Sequence, residues 1–175
     1  MGRDKAGIGV EGQPLWQRQL ATLAALGPHE IFISGKADGP YVGGGMEVIY
    51  DLHPGCGPLS GLEAACGRMQ TPLLCLLAID LPKMTPSFLE RLVKRAMQEG
   101  RGVVPQNGEY FEPLAAVYPR AMLNLIREQM DRSVHSMQRL VRQAMDIGLV
   151  TAQILEEDER AFFQNVNTPA DLSGG

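Results

Sequence analysis

The sequence predicts an α/β fold with a mostly parallel central sheet in a single domain. An unbroken apolar run extends from Leu73 to Ile79, is followed by Asp80, and is stopped by Pro82. Such a short continuous run is typical of a strand buried on both faces, as the central strand of a parallel sheet is. Short β-prone runs also alternate with stretches whose apolar residues recur at helical spacing. Because 175 residues suffice for one full core but not for two, we expect one domain over residues 1–175.

Composition and charge indicate an ordinary globular protein, with 45% hydrophobic and 21% charged residues. A net charge of -4 gives no sign of a surface for nucleic acid or membranes. No apolar run approaches the roughly 20 residues that span a bilayer, and no signal peptide opens the chain. The three cysteines lack the spacing of a metal site and are too few for a disulfide framework. We therefore expect a cytoplasmic protein without nucleic-acid or membrane partners.

Helices and strands are predicted to alternate through the N-terminal half. The stretch over residues 1–15 is predicted to be a loop rich in glycine and charge, without a strand, and Pro14 opens a helix that ends before Gly27-Pro28. Short β-prone runs predict strands over residues 30–34 and 46–50. A glycine-rich turn then leads into a helix that ends near Met69, ahead of the apolar strand.

The C-terminal half continues the alternation. Thr85 is predicted to cap a helix with Pro86 at its first position. Apolar spacing predicts further helices over about residues 120–130 and from Ser133. Strands are predicted over residues 102–105 and 149–155, and residues 109–118 are predicted to be a turn that enters another strand. An acidic turn and a short terminal helix capped by Thr168 complete the chain.

Two aspartates follow strands of the predicted sheet. Asp80 ends the apolar run, and Asp51 follows the strand over residues 46–50. Ligands of open α/β sheets bind at the carboxyl ends of strands, where a carboxylate can hold Mg²⁺ beside a phosphate chain. The alternative for each aspartate is that it only caps the turn that follows its strand.

Two further segments are candidates for ligand contact. The turn from His53 to Gly61 is rich in glycine, which lets backbone approach a ligand, and it precedes a helix N-terminus. Near the end of the chain, Asn165 and Asn167 flank a valine. These asparagines either satisfy the backbone of a turn or reach a ligand.

Six motifs occur in the order that is typical of one known family. They are Met1–Ala6, Gly12–Leu15, Gly57–Gly61, Asp80–Pro82, Glu112–Leu114 and Asn165–Pro169. With these motifs the chain resembles, over essentially its whole length, the MobA-like nucleotidyltransferases that include the molybdenum cofactor guanylyltransferases. The resemblance implies a Rossmann-like, three-layer fold. The family's first strand and the first half of its glycine-rich loop have no counterpart, so an N-terminally truncated domain is expected.

The resemblance implies transfer of GMP from GTP to molybdopterin, which gives the guanine dinucleotide cofactor and pyrophosphate. Asp80 would hold Mg²⁺, the implied cofactor, and Lys5 would place a positive charge on the phosphates; together they are the implied catalytic residues. The other implied GTP-binding residues are Ser34, Asp51, Gly57 and Pro58. Asn165 and Asn167 would lie on the molybdopterin side. The alternative for Lys5 is that it is only a solvated lysine near the chain terminus.

The implied partners are the two substrates, GTP and molybdopterin, and proteins that deliver or receive the molybdenum cofactor. Two alternatives stay open. The chain is either another nucleotidyltransferase, using CTP with molybdopterin or a sugar phosphate, or a truncated relative that keeps the fold without catalysis. Base selectivity distinguishes the first alternative, and loss of nucleotide binding by a folded chain distinguishes the second.

Overall fold

The structure is a computed structural model that describes residues 9–10 and 12–165. Strands and α-helices alternate along the described residues, and a 3₁₀ turn follows at Asp158–Phe163. The strands are β1 (Gly9–Val10), β2 (Gln13–Pro14), β3 (Phe32–Ser34), β4 (Glu47–Ile49), β5 (Leu73–Leu77), β6 (Gly102–Asn107), β7 (Tyr110–Phe111), β8 (Ala115–Pro119) and β9 (Val150–Ile154). The helices are α1 (Leu15–Ala24), α2 (Pro58–Arg68), α3 (Pro86–Glu99), α4 (Met122–Asp131) and α5 (Met137–Asp146).

The main sheet is mixed. Its strands follow the order β5-β8-β6-β7, and β9 pairs with β6 in parallel. Strand β8 runs antiparallel to both β5 and β6, so β5 and β6 point the same way. Strands β3 and β4 form a separate parallel pair in which Ser34 lies opposite Ile49. The α/β class predicted from the sequence is confirmed. The expectation of a mostly parallel central sheet is not met among the described residues, because three of the four strand pairings in the main sheet are antiparallel.

The position of β5 differs from the expectation for its sequence. Leu73–Leu77 was expected to be the central strand of a parallel sheet and buried on both faces. Within the described residues β5 instead pairs with β8 alone, and antiparallel, and each of its residues is only partly buried. An apolar run reports the hydrophobicity of the two faces of a strand, but it carries no information about the direction or number of the strand's neighbours.

Two hydrophobic cores lie on opposite faces of the main sheet. Alternate residues of β8 divide between them, since Ala116 and Tyr118 face one core while Ala115 and Val117 face the other. The first core is completed by α2, α4 and α5, and the second by α3. Side chains of a strand alternate between its faces, so this division places the sheet between two helical layers. The three-layer arrangement implied by the resemblance is therefore observed.

Helix α3 begins as its sequence predicts. The hydroxyl of Thr85 accepts a hydrogen bond from the backbone N–H of Phe88, Pro86 is the first helical residue, and Gly100 ends the helix at φ 65°. The predicted start of the last long helix at Ser133 is wrong. Ser133 has φ 55°, and α5 begins at Met137 with Ser136 as its capping residue.

No helix among residues 9–10 and 12–165 combines the length and the apolar character that crossing a membrane requires. The predicted loop over residues 1–15 is wrong where it is described, because β1 and β2 lie within it and pair antiparallel. Residues 1–8 and 11 of that loop lie outside the described residues. The predicted terminal helix at Thr168 lies wholly outside them.

Candidate functional site

A cavity of about 330 Å³ brings three of the predicted site residues together: Pro58, Asp80 and Asn165. Pro58 opens α2, Asp80 lies in the turn after β5, and Asn165 follows the 3₁₀ turn. Asp80 is partly buried, whereas Pro58 and Asn165 are exposed. The cavity thus adjoins the N-terminus of α2 and the turn that follows β5, as expected for ligand sites of α/β sheets.

Helix α1 holds the turn that carries Asp80. The buried side-chain amide of Gln19 donates to the carbonyl oxygens of Ala78 (3.0 Å) and Leu81 (2.8 Å), on either side of Asp80. The guanidinium Nε of Arg18 donates to the carbonyl oxygen of Pro82 at 2.8 Å. These bonds occupy backbone acceptors that a strand-to-helix turn otherwise leaves without partners.

Neither of these two positioning residues was identified from the sequence. A signal was present at Gln19, because it lies one helical turn from both Leu15 and Leu23 and therefore on the apolar side of α1. A polar residue at such a position must find hydrogen-bond partners when it is buried. The sequence does not say which carbonyl oxygens those partners are.

Ser34 and Asp51 converge on the first turn of α2. A methyl group added at Gly61 would lie 2.5 Å from the Ser34 hydroxyl oxygen and 3.4 Å from a carboxylate oxygen of Asp51. Ser34 ends β3, Asp51 follows β4, and both residues are exposed. The parallel pairing of β3 with β4 brings their carboxyl ends to the same edge, so the two polar side chains lie together.

The glycine-rich turn between β4 and α2 has a defined conformation. Gly57 adopts φ 66°, a left-handed conformation that residues with a side chain rarely adopt, and Pro58 then takes the first helical position. The backbone N–H of His53 donates to the Ser60 hydroxyl at 2.9 Å. The turn is therefore tied back onto the helix that it precedes.

Glu63 is a buried carboxylate that connects this turn with α4. Its side chain is in ion-pair range of His53 Nε2 and of Arg127 Nε, each at 3.4 Å. The residue is 4% exposed, so removing the Arg127 guanidinium would leave a buried charge less well compensated. Sequence reasoning did not identify Glu63, which carries no motif signal.

Glu112 also lines the cavity that Asp80 lines. Its carboxyl group is partly buried between β7 and β8, and this loss of hydration raises its pKa above the usual range for glutamate. In the sequence Glu112 belongs to the Glu-Pro-Leu motif, from which no role for its carboxylate is predicted.

The remaining predicted site residues divide into two groups. Ser34, Asp51 and Gly57 lie outside the lining of the cavity but adjoin the first turn of α2, whose first residue Pro58 does line it. Lys5 and Asn167 lie outside the described residues, so their predicted roles stay predictions.

A magnesium ion is compatible with the donors around the cavity. Among the described residues no group of three or more histidine, cysteine, aspartate or glutamate side chains could hold a metal. Mg²⁺ usually takes only one or two protein carboxylates and completes its shell with water and phosphate oxygens. The Asp80 carboxylate therefore fits a metal shared with a nucleotide, and it does not fit a dedicated protein cage.

Comparison with known proteins supplies the family. The model of the MobA-like NTP transferase domain matches residues 1–147. A probable molybdenum cofactor guanylyltransferase of Opitutus terrae is 33% identical over 98% of this chain and 86% of its own length. A protein of the same name from Pelotomaculum thermopropionicum is 33% identical over 98% of this chain and 83% of its own length.

Solved structures share the fold. The molybdopterin-guanine dinucleotide biosynthesis protein A of Archaeoglobus fulgidus aligns with a TM-score of 0.78 at 24% identity, covering 98% of this chain and 88% of that one. The 2-C-methyl-D-erythritol 4-phosphate cytidylyltransferase of Thermus thermophilus aligns with a TM-score of 0.72 at 16% identity, covering 97% and 90%. From the family match and the relatives' identity over nearly its whole length, the chain belongs to the MobA-like NTP transferases.

Proposed function

We propose that this chain transfers GMP from GTP to molybdopterin and releases pyrophosphate. Family membership makes it a nucleotidyltransferase, and its relatives at 33% identity are named probable molybdenum cofactor guanylyltransferases. The observation that carries the proposal is the cavity lined by both Asp80 and Pro58, the first residue of α2. Nucleotidyl transfer depends mainly on positioning and on neutralised phosphate charge, and this arrangement supplies groups for both.

Guanine recognition is assigned to Asp51 and Ser34. The exposed Asp51 carboxylate can accept hydrogen bonds from N1–H and the N2 amine of guanine, which cytosine cannot reproduce. The Ser34 hydroxyl lies beside it at the first turn of α2. Gly57 and Pro58 shape the adjoining turn, where backbone can approach the nucleotide closely.

The phosphates are assigned to Asp80, the N-terminus of α2 and Lys5. Asp80 would hold Mg²⁺, which when bound offsets the negative charge of the phosphate oxygens. The partial positive charge of the helix dipole at the start of α2 favours an anion, and Lys5, outside the described residues, would add a point charge. Gln19 and Arg18 keep the turn around Asp80 in place.

Molybdopterin is assigned to the same cavity. Asn165 lines this cavity, and Asn167 follows two residues later, beyond the described residues. We further propose a cytoplasmic site of action, with protein partners that deliver or receive the cofactor. Cys56, Cys66 and Cys75 are all free thiols, which is typical of a reducing compartment.

Calorimetric titration with GTP and CTP, each with and without Mg²⁺, tests the proposal. Mg²⁺-dependent binding of GTP in preference to CTP is expected. Asp51→Ala should weaken GTP binding more than CTP binding, and Asp80→Asn should remove the Mg²⁺ dependence of GTP binding together with turnover. Absence of nucleotide binding by a chain that melts cooperatively would contradict the proposal and favour a non-catalytic relative. Equal binding of the two nucleotides would contradict the assignment of guanine to Asp51.

A further inference from the structure

The cavity beside Asp80 contains a second carboxylate, Glu112, that the transfer of GMP as described above does not use. It lies in the short turn between β7 and β8, where its side chain is partly buried. Carboxylates are seldom buried without a partner, because loss of hydration disfavours their charged form. The position of Glu112 on the cavity wall therefore calls for an explanation.

The backbone around Glu112 is held on three sides. Its own N–H donates to the carbonyl oxygen of Pro105 at 2.8 Å, and the buried Tyr118 hydroxyl donates to the carbonyl oxygen of Pro113 at 2.8 Å. The side-chain amide of Gln138 pairs with both backbone groups of Phe111, at 2.8 and 3.1 Å. These bonds come from β6, β8 and α5. They hold the backbone of the turn that carries Glu112 in one place.

The carboxylate itself has no hydrogen-bond donor or ion-pair partner in the part of the chain that the structure describes. Its pKa is raised by desolvation, as expected for a carboxyl group that has given up water without gaining a partner. A partly dehydrated acceptor on a well-held turn gains most from a ligand that brings its own N–H groups.

The cavity around this acceptor is suited to a flat heterocycle. Its other lining is largely apolar and includes Phe111, Pro113, Leu114 and Met137. A volume of about 330 Å³ lies at the lower end of the range for small-molecule sites, which are mostly apolar with a few polar groups that fix orientation. Glu112 is such a group.

We propose that Glu112 binds the pterin ring of the acceptor substrate through its aminopyrimidinone edge. That edge presents a ring N–H and an exocyclic amine side by side, and the two oxygens of a carboxylate can accept both hydrogen bonds. Gln138 is then a positioning residue that holds the turn of Glu112 through Phe111. The inference rests on the proposed function, which supplies a pterin as the acceptor.

Fluorescence titration of the full chain with pterin and with lumazine tests this assignment. Lumazine has the same bicyclic shape but carries a carbonyl in place of the exocyclic amine. Because that carbonyl would face the carboxylate, wild type should bind pterin roughly tenfold or more tightly than lumazine. Glu112→Gln should lose this preference, since its amide can donate to the carbonyl of lumazine. Glu109→Gln, which changes an exposed glutamate three residues away, should keep it.

Pterin and guanine share the same donor edge, so Asp51→Ala is included as the second variant. If Asp51→Ala removes the preference and Glu112→Gln does not, pterin occupies the guanine site and the inference is overturned. No pterin binding by wild type, or equal binding of lumazine, overturns it as well. If Glu112→Gln does not fold, Glu112→Asp shortens the side chain while keeping its charge, and the preference should then fall.

The two proposals are separated by a GTP titration of wild type. GTP binding without a pterin preference overturns the role of Glu112 alone. A pterin preference without GTP binding overturns the proposed transfer of GMP from GTP. The binding of pterin by Glu112 is still supported in that case.

Discussion

Gly61 determines how closely Ser34 and Asp51 approach α2. Any side chain at this position would meet the Ser34 hydroxyl oxygen, 2.5 Å from the position of the added carbon. The Ser34 side chain would have to rotate away, and the Asp51 carboxylate at 3.4 Å would also be crowded. The absence of a side chain in the first turn of α2 is therefore part of the candidate guanine site.

Gly61→Ala is expected to weaken GTP binding, because the added methyl group would displace the Ser34 hydroxyl and crowd the Asp51 carboxylate. Stability should change little, because the Ser34 side chain can rotate at small cost. The matched control is Gly67→Ala in the same helix, where the added methyl group meets open space. That control should stabilise α2 by about 0.5–1 kcal/mol and leave GTP affinity unchanged. Calorimetry and urea denaturation of both variants measure these effects. Equal GTP affinity in the two variants would show that guanine does not bind at the first turn of α2.

Glu112 provides a prediction about stability and pH. Its pKa is raised in the folded protein by burial, so its ionised form is disfavoured there relative to the unfolded chain. Below the pKa of an ordinary glutamate the residue is protonated in both states and carries no penalty. As the pH rises through the raised folded pKa, the penalty develops and stability is lost.

Glu112→Gln should therefore raise the free energy of unfolding at pH 7, and the gain should disappear as the pH falls below the usual range for glutamate. Urea denaturation across that range measures the difference between variant and wild type. The exposed Glu109→Gln should show no such trend. A gain that is independent of pH would show that packing of the amide, and not loss of the charge, is responsible.

At the scale of elements, α1 determines the position of a turn more than fifty residues away in sequence. Gln19 donates from α1 to the carbonyl oxygens of both Ala78 and Leu81, and Asp80 lies between them. A helix packed in this way acts as a support for the turn after β5. Its effect on Asp80 passes through the backbone, so Gln19 is a positioning residue.

Gln19→Leu should lower stability by about 1–3 kcal/mol, because two carbonyl oxygens lose a buried donor. The effect specific to positioning is a rise in the Mg²⁺ concentration needed for half-maximal turnover, since Asp80 is no longer held. Gln17→Leu, on a less buried part of the same helix, is the control and should leave both quantities near wild type. Loss of stability with an unchanged Mg²⁺ requirement would show that Gln19 contributes to stability but does not position Asp80.

At the scale of the whole molecule, the two cores enclose the sheet and exclude water from their interiors. Cys66 is fully buried in the core formed by α2, α4 and α5, and burial raises the pKa of its thiol to about 12. Thiol reagents attack the thiolate, which is scarce at such a pKa and is inaccessible in the folded state. Cys56, in the turn before α2, is partly exposed.

We expect a thiol reagent at pH 8 to modify Cys56 quickly in the native protein and Cys66 only when the core opens. Mass spectrometry of digests taken along a urea series measures both rates. Modification of Cys66 should follow the global unfolding transition. Its modification well before that transition would show that the helical layer of α2, α4 and α5 opens independently of the sheet.

Local structure was largely predictable from the sequence. The Thr85-Pro86 start of α3, the glycine-rich turn into α2 and the strands on either side of it are encoded within a few residues each, through capping bonds, fixed φ angles and apolar periodicity. The wrong start predicted for the last long helix also has a local cause. Ser133 has φ 55°, which is not a helical conformation, so the helix cannot begin there.

The sequence by itself determined the α/β class, the order of most elements and the presence of carboxylates after β4 and β5. Only the tertiary structure decided that β8 lies between β5 and β6, that Ser34 and Asp51 meet at Gly61, and that Gln19 holds the turn of Asp80. The physical reason is the range of the interactions. Caps and turns depend on hydrogen bonds among near neighbours in sequence, whereas strand order and a convergent site depend on which distant surfaces bury one another most completely.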